Sequence, residues 1–139
     1  MFTLVRTDNF DTEVLEGGTP VLLAYVRQDH MFKEQTEVLE RVARTYHGGV
    51  KVCLLDEDSV GSFREKCHIK GAPTYLIFDA GKKMGRMLGL ADGESLTGFL
   101  VRTLPHFEKV AVSLNKRQER NGNFTVSPVP WAREGMGSE

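Results

Sequence analysis

The sequence predicts an α/β domain, a mixed central sheet flanked by helices, and three observations carry that expectation. Val21 to Val26 (VLLAYV) is a continuous apolar run of the kind found in a central strand covered on both faces. From Met31 to Tyr46 the pattern changes to helical spacing, with Met31, Phe32, Val38, Leu39, Val42 and Tyr46 on one face, Glu34, Glu37, Glu40, Arg41 and Arg44 on the other, and Gln35 as the exception on the apolar side. The stretch TYLIFDAGKKMGRMLGL then reads as two strands joined at Asp79-Ala80-Gly81-Lys82, a hairpin that forces antiparallel pairing.

The remaining elements fall between these landmarks. FTLV, Phe2 to Val5, is a short strand, and TDNFDTEVLEGG predicts a short helix with Thr7 or Asp8 as N-cap, Phe10, Val14 and Leu15 inward, and Gly17-Gly18 as its stop. Pro20 punctuates before the central strand, and His47-Gly48-Gly49 ends the long helix. VKVCLL, Val50 to Leu55, is the third strand. DEDSVGSFREKCHI follows as a loop and a short helix carrying Val60, Phe63, Arg64 and Cys67, and Gly71-Ala72-Pro73 breaks the chain before the hairpin. ADGESLTGFLVRTL supplies a last helix with Leu96, Phe99, Leu100 and Leu104 inward. The expected order is β-α-β-α-β-α-β-β-α over residues 1–104, followed by a C-terminal extension, 105–139. Pro105 is placed to start one more helix with Phe107, Val110, Ala111 and Leu114 on a face. The Gly-, Pro- and Ser-rich tail beyond it is expected to be mobile unless Trp131 docks on the domain.

Composition narrows the function classes. At 139 residues the chain is long enough for one core that removes about two-thirds of its unfolded surface from water. Its 18 basic and 19 acidic residues, net charge −1, are spread along the chain and leave no footprint for nucleic acid or an anionic membrane. The N-terminal residues show no basic region followed by an apolar stretch, and the Val21–Val26 run is too short to span a bilayer, so a cytoplasmic location is expected. Cys53 and Cys67 are separated by thirteen residues, belong to no Cys-x-x-Cys pair and have no paired histidines beside them. Neither a disulfide framework nor a metal site is indicated, and no cofactor is called for. Gly81, Gly85 and Gly89 lie in a hairpin and form no phosphate loop, and NKRQER at 115–120 reads as a solvated helix face.

The order of elements, with a hairpin after a proline and a helix at the end, resembles thioredoxin. TDNFDTEVLEGGTPVLLAYV is similar to the opening of that family, GAPTYLIFDAGKKMGRMLG to its cis-proline segment and hairpin, and Gly89 matches the glycine after its last strand. The most specific piece is Gly71-Ala72-Pro73-Thr74. The resemblance covers about the first 104 residues and departs from the family at two functional positions. The four positions of the family's Cys-Gly-Pro-Cys segment fall on Asp29, His30, Met31 and Phe32, with one residue fewer just upstream, and the buried aspartate that assists proton transfer falls on Ala24.

These departures set the functional expectation. Disulfide exchange needs one thiolate to attack and a second thiol to resolve the mixed disulfide, and Asp29 and Phe32 can do neither. The unpaired N–H groups of a helix start favour a carboxylate, so Asp29 is expected to cap the long helix with about 0.5–2 kcal/mol of stabilisation, Phe32 to pack, and His30 and Met31 to face solvent or a partner. The resemblance implies a groove around Ala72, Pro73 and Thr74 in which an extended peptide pairs with backbone. The expectation is therefore a redox-inactive binding module, an adaptor or chaperone-like protein with a polypeptide partner. The alternative is a thiol oxidoreductase acting through one cysteine, Cys67; Cys53, within an apolar strand, reads as core. A third possibility is that FTVSPVPW in the tail fills the groove, in cis or in a second copy.

Overall fold

The computed structural model describes residues 2–67, 69–105 and 107. Five strands and three α-helices follow the expected order: β1 (Thr3–Val5), a π-helical turn (Asp11–Leu15), β2 (Val21–Tyr25), α1 (Phe32–Thr45), β3 (Lys51–Leu55), a 3-10 turn (Glu57–Ser59), α2 (Val60–Phe63), β4 (Thr74–Asp79), β5 (Lys82–Leu88) and α3 (Gly93–Thr103). They build one sheet in the order β1-β3-β2-β4-β5. The apolar run of β2 is in the middle, every residue of it buried, parallel to β3 on one side and antiparallel to β4 on the other.

Alternation along the strands divides the interior in two. Leu22, Ala24 and Val26 of the β2 run join Leu39, Val42, Tyr75, Ile77, Leu96 and Leu100 beneath α1 and α3. Val21, Leu23 and Tyr25 point the other way, into a cluster with Val5, Phe10, Cys53, Phe63, Cys67, Leu76 and Phe78. The second cluster is closed by Phe10, whose ring lies 4.7 Å from that of Phe63 and 5.9 Å, edge on, from that of Phe78. Phe107 belongs to the first cluster, its ring 5.3 Å from that of Tyr46, so apolar packing continues past Leu104. Apart from Phe107, the expected helix face of Val110, Ala111 and Leu114 and the docking of Trp131 or FTVSPVPW lie outside the described residues.

The hairpin turn has Ala80 at φ 53° and Gly81 at φ 79°, the left-handed pair that a two-residue type I′ connection requires. Its sheet register slips once, between Ile77 and Phe78.

Two local expectations need correction. Neither Thr7 nor Asp8 caps the first helical turn, which has no side-chain cap at all. Asn9 holds the corner instead: its Oδ1 accepts from the Arg6 N–H at 2.6 Å and its Nδ2 donates to the Leu4 carbonyl at 3.1 Å. The helix expected to carry Cys67 ends at Phe63, and the chain continues through turns in which the Cys67 N–H donates to the Phe63 carbonyl at 2.8 Å.

Candidate functional site

The pairing of Tyr25 with Thr74 determines the site. Tyr25 is the last residue of β2 and Thr74 the first of β4, so their register brings the 27–31 turn and the 71–73 loop to the same end of the sheet. Asp29, His30, Met31 and Phe32 thus lie at the end of the sheet that also holds Ala72, Pro73 and Thr74. Asp29 and His30 are exposed, Met31, Phe32 and Ala72 half-buried, Pro73 and Thr74 buried.

The turn does not have the geometry expected of it. Met31 occupies the cap position of α1 and provides no side-chain cap. Asp29 lies two residues back: its Oδ1 accepts from the Met31 N–H at 2.9 Å and its carbonyl accepts from the Phe32 N–H at 3.1 Å. A short acidic side chain bonds the backbone two residues on as readily as it caps, and here the tight turn before the helix takes that bond. Phe32 packs against the α1/α3 core.

The proline loop is held from both sides. The Ala72–Pro73 peptide bond is cis. The Gly89 N–H donates to the Pro73 carbonyl at 2.9 Å, which ties the loop to the end of β5, and the Thr74 hydroxyl donates to the Gly71 carbonyl at 2.6 Å. Ala72 packs on the second core cluster.

Behind the turn sits a residue whose role the apolar pattern hid. Gln35, 2% exposed, accepts at Oε1 from the Tyr75 hydroxyl and from the Ala91 N–H at 3.3 Å, and donates through Nε2 to the Ala91 carbonyl at 3.2 Å. Its own N–H donates to the Met31 carbonyl at 3.0 Å. One amide therefore joins the start of α1, β4 and the segment leading into α3. Burial pushes the Tyr75 phenol up to about 12, so it remains a donor at neutral pH. A polar residue on the buried side of an amphipathic helix was the available signal.

On the opposite face, the Tyr25 hydroxyl donates to Glu57 Oε2 at 3.4 Å, while Glu57 Oε1 is buried without a hydrogen-bond partner among the described residues.

The cysteines are both free and both buried, Cys53 at 0% exposure and Cys67 at 2%. Desolvation pushes the Cys53 thiol up to about 11, against a smaller opposing effect of Lys51. Burial also raises the Cys67 thiol, with Lys83 and Lys66 pulling the other way. Ala24, at the family's aspartate position, is wholly buried among apolar side chains. Among the described residues no group of three or more His, Cys, Asp or Glu is placed to hold a metal ion, and no helix is long and apolar enough to cross a membrane.

A five-stranded mixed sheet, a helix leaving its central strand through a turn, and an X-Pro loop at the same end of the sheet define the thioredoxin fold. The family model described as Thioredoxin matches residues 2–102. Curated relatives include the protein named thioredoxin from Pseudomonas aeruginosa, 32% identical over 97 residues, covering 69% of this chain and 90% of that relative. The thioredoxin of Acidithiobacillus ferridurans is 31% identical with the same coverage, and thioredoxin 1 of a Nostoc species is 26% identical over 101 residues, 72% of this chain and 94% of the relative. The chain belongs to the thioredoxin family.

Proposed function

We propose that this thioredoxin-family chain is a redox-inactive, cytoplasmic binding module of the adaptor or chaperone-like kind, which grips an extended polypeptide between the 27–32 turn and the Ala72-Pro73-Thr74 loop. The observation that carries the reading is the disposition of sulfur. The turn that leads into α1 contains Asp29, His30, Met31 and Phe32 and no cysteine, and both thiols of the chain are buried with their acidity weakened. Exchange requires an accessible thiolate and a second thiol to resolve the mixed disulfide, and burial works against the first of these at either cysteine. What the site keeps is a half-buried apolar surface, Met31, Phe32 and Ala72, beside a loop braced by its own hydrogen bonds.

Reduction of insulin by dithiothreitol tests the chemistry: the wild type is expected to add no rate above the uncatalysed background. A catalysed rate that disappears in Cys67→Ser would establish the single-thiol oxidoreductase instead. Binding is tested by titrating a reduced, alkylated, unfolded polypeptide against the labelled protein, with amide shifts expected at Met31, Phe32 and Ala72 and weakened binding in Met31→Asp.

A further inference from the structure

Gln35 sits where apolar packing alone would place a leucine. Among the described residues it is the one buried polar side chain of α1, and the rest of that buried face is Val38, Leu39, Val42 and Ala43. An aliphatic residue would fill the position with no amide to take out of water. What an amide adds is direction: apolar contact is non-directional, whereas hydrogen bonds in a buried network hold in one arrangement of their partners.

The partners of Gln35 belong to both walls of the site. On one wall its N–H donates at 3.0 Å to the carbonyl of Met31, the residue at the cap position of α1. On the other, the Tyr75 hydroxyl donates to Oε1, and Tyr75 directly follows Thr74. Ala91, bonded to the amide through its N–H at 3.3 Å and its carbonyl at 3.2 Å, lies two residues beyond Gly89, whose N–H holds the Pro73 carbonyl at 2.9 Å. Two short paths therefore lead from the start of α1 to the proline loop, one through β4 and one through residues 89–91, and both pass through one amide. Ala24 belongs to the same arrangement. It is opposite Tyr75 in the β2–β4 ladder, and cross-strand partners share a face. The position that holds the aspartate of the thioredoxin family is here a methyl, and its cross-strand neighbour supplies a hydroxyl directed at Gln35.

We infer that Gln35 is a positioning residue for the groove, a role that rests on the groove reading proposed above. At 2% exposure it does not touch the polypeptide; from behind, it fixes the 27–32 turn relative to the Ala72-Pro73-Thr74 loop, so that both walls are in place before an extended segment arrives. Walls already in place lose less freedom on binding, so removing the amide weakens binding as well as the fold.

The probe is reduced, alkylated lactalbumin, an unfolded polypeptide, titrated against the labelled full chain with the amides of Met31, Phe32 and Ala72 as the readout. Gln35→Leu fills about the same volume and removes every side-chain bond; with its fold verified by circular dichroism, it is expected to bind about tenfold more weakly than wild type. Val42→Ala, on the same helix and in the same core cluster, loses stability through a cavity and is expected to keep wild-type affinity. Tyr75→Phe removes one bond to the amide and is expected to weaken binding about threefold. The double variant Gln35→Leu/Tyr75→Phe is expected to bind no more weakly than Gln35→Leu, because the hydroxyl acts through the amide. Where Gln35→Leu does not fold, Tyr75→Phe decides.

The role of Gln35 is overturned if the wild type shows its groove shifts and Gln35→Leu and Tyr75→Phe bind as tightly, a result that leaves the groove reading intact. It is overturned equally if Val42→Ala weakens binding as much as Gln35→Leu, which would make the loss one of general stability, or if the losses of the two single variants add in the double variant. If the wild type moves none of the groove amides at millimolar polypeptide, the groove reading falls and the role of Gln35 falls with it.

Discussion

The starts of α1 and α3 solve the same problem in opposite ways. Each helix leaves its first N–H groups without intrahelical acceptors. At α3 the solution is local: Asp92 occupies the cap position in extended geometry and its Oδ1 accepts from the Ser95 N–H at 2.8 Å. At α1 the cap position falls to Met31, whose side chain caps nothing, and Asp29 is committed to the turn before it. The anchor of α1 lies one turn inside, where Gln35 is bonded to Tyr75 and Ala91. At α3 the side-chain cap adds to the hold of Gln35 on Ala91, whereas at α1 the hold from behind leaves the residues ahead of the helix, 27–31, at the surface.

If that contrast is right, Gln35→Ala has the largest effect. It strips the partner from a buried phenol and from both backbone groups of Ala91, and a loss of about 3 kcal/mol is expected in urea unfolding. A cost near that of an ordinary surface substitution would mean that α1 is anchored elsewhere.

Asp92→Ala is expected to cost about 1 kcal/mol, with Asp92→Asn recovering most of it, since the amide oxygen can still accept from Ser95.

The same carboxylate makes the α3 start sensitive to acid. The bond from the Ser95 backbone holds the Asp92 carboxyl below the usual carboxylate range. The native state therefore binds its proton less readily than the unfolded chain. The contribution is fully present above the ordinary value of about 3.9 and is lost as pH falls through the lowered folded value. Because Asp92 is exposed, solvent screens the effect to less than about 1 kcal/mol. The difference in stability between wild type and Asp92→Asn, followed from pH 6 to pH 2, is expected to shrink at the acid end; a constant difference would remove the charge from the explanation.

Asp29→Ala is expected to be the mildest, under about 0.5 kcal/mol, because the side chain is exposed and serves one N–H of a turn. Faster hydrogen exchange at Met31 with little change at Phe32 is the accompanying signature, since the Phe32 N–H bonds the Asp29 carbonyl and keeps its acceptor.

The expected elements of the domain are present, with shifts of a few residues at their ends, because they rest on periodicity. The buried run of β2 and the left-handed pair at Ala80 and Gly81 each express a rule that acts over a few neighbouring residues. The errors cluster at helix starts. Thr7, Asp8 and Asp29 are all good capping residue types, yet none caps, because turn and cap compete for the same short side chain and the winner depends on where the backbone is led by its packing. The candidate site was legible in part, as the Asp29–Phe32 turn and Ala72-Pro73-Thr74, while Gln35 stood out only as a polar residue in an apolar position.

By itself the sequence determined the order of strands and helices, the residues that face inward, and the lack of any thiol in the turn before α1. Those follow from chemistry and spacing along the chain. Only the tertiary structure decided that Tyr25 meets Thr74, that Gln35 reaches an acceptor 56 residues away, and that both thiols are shielded. Burial preferences are properties of single side chains and repeat with the backbone period, whereas long-range hydrogen-bond partners exist only between segments that folding brings together.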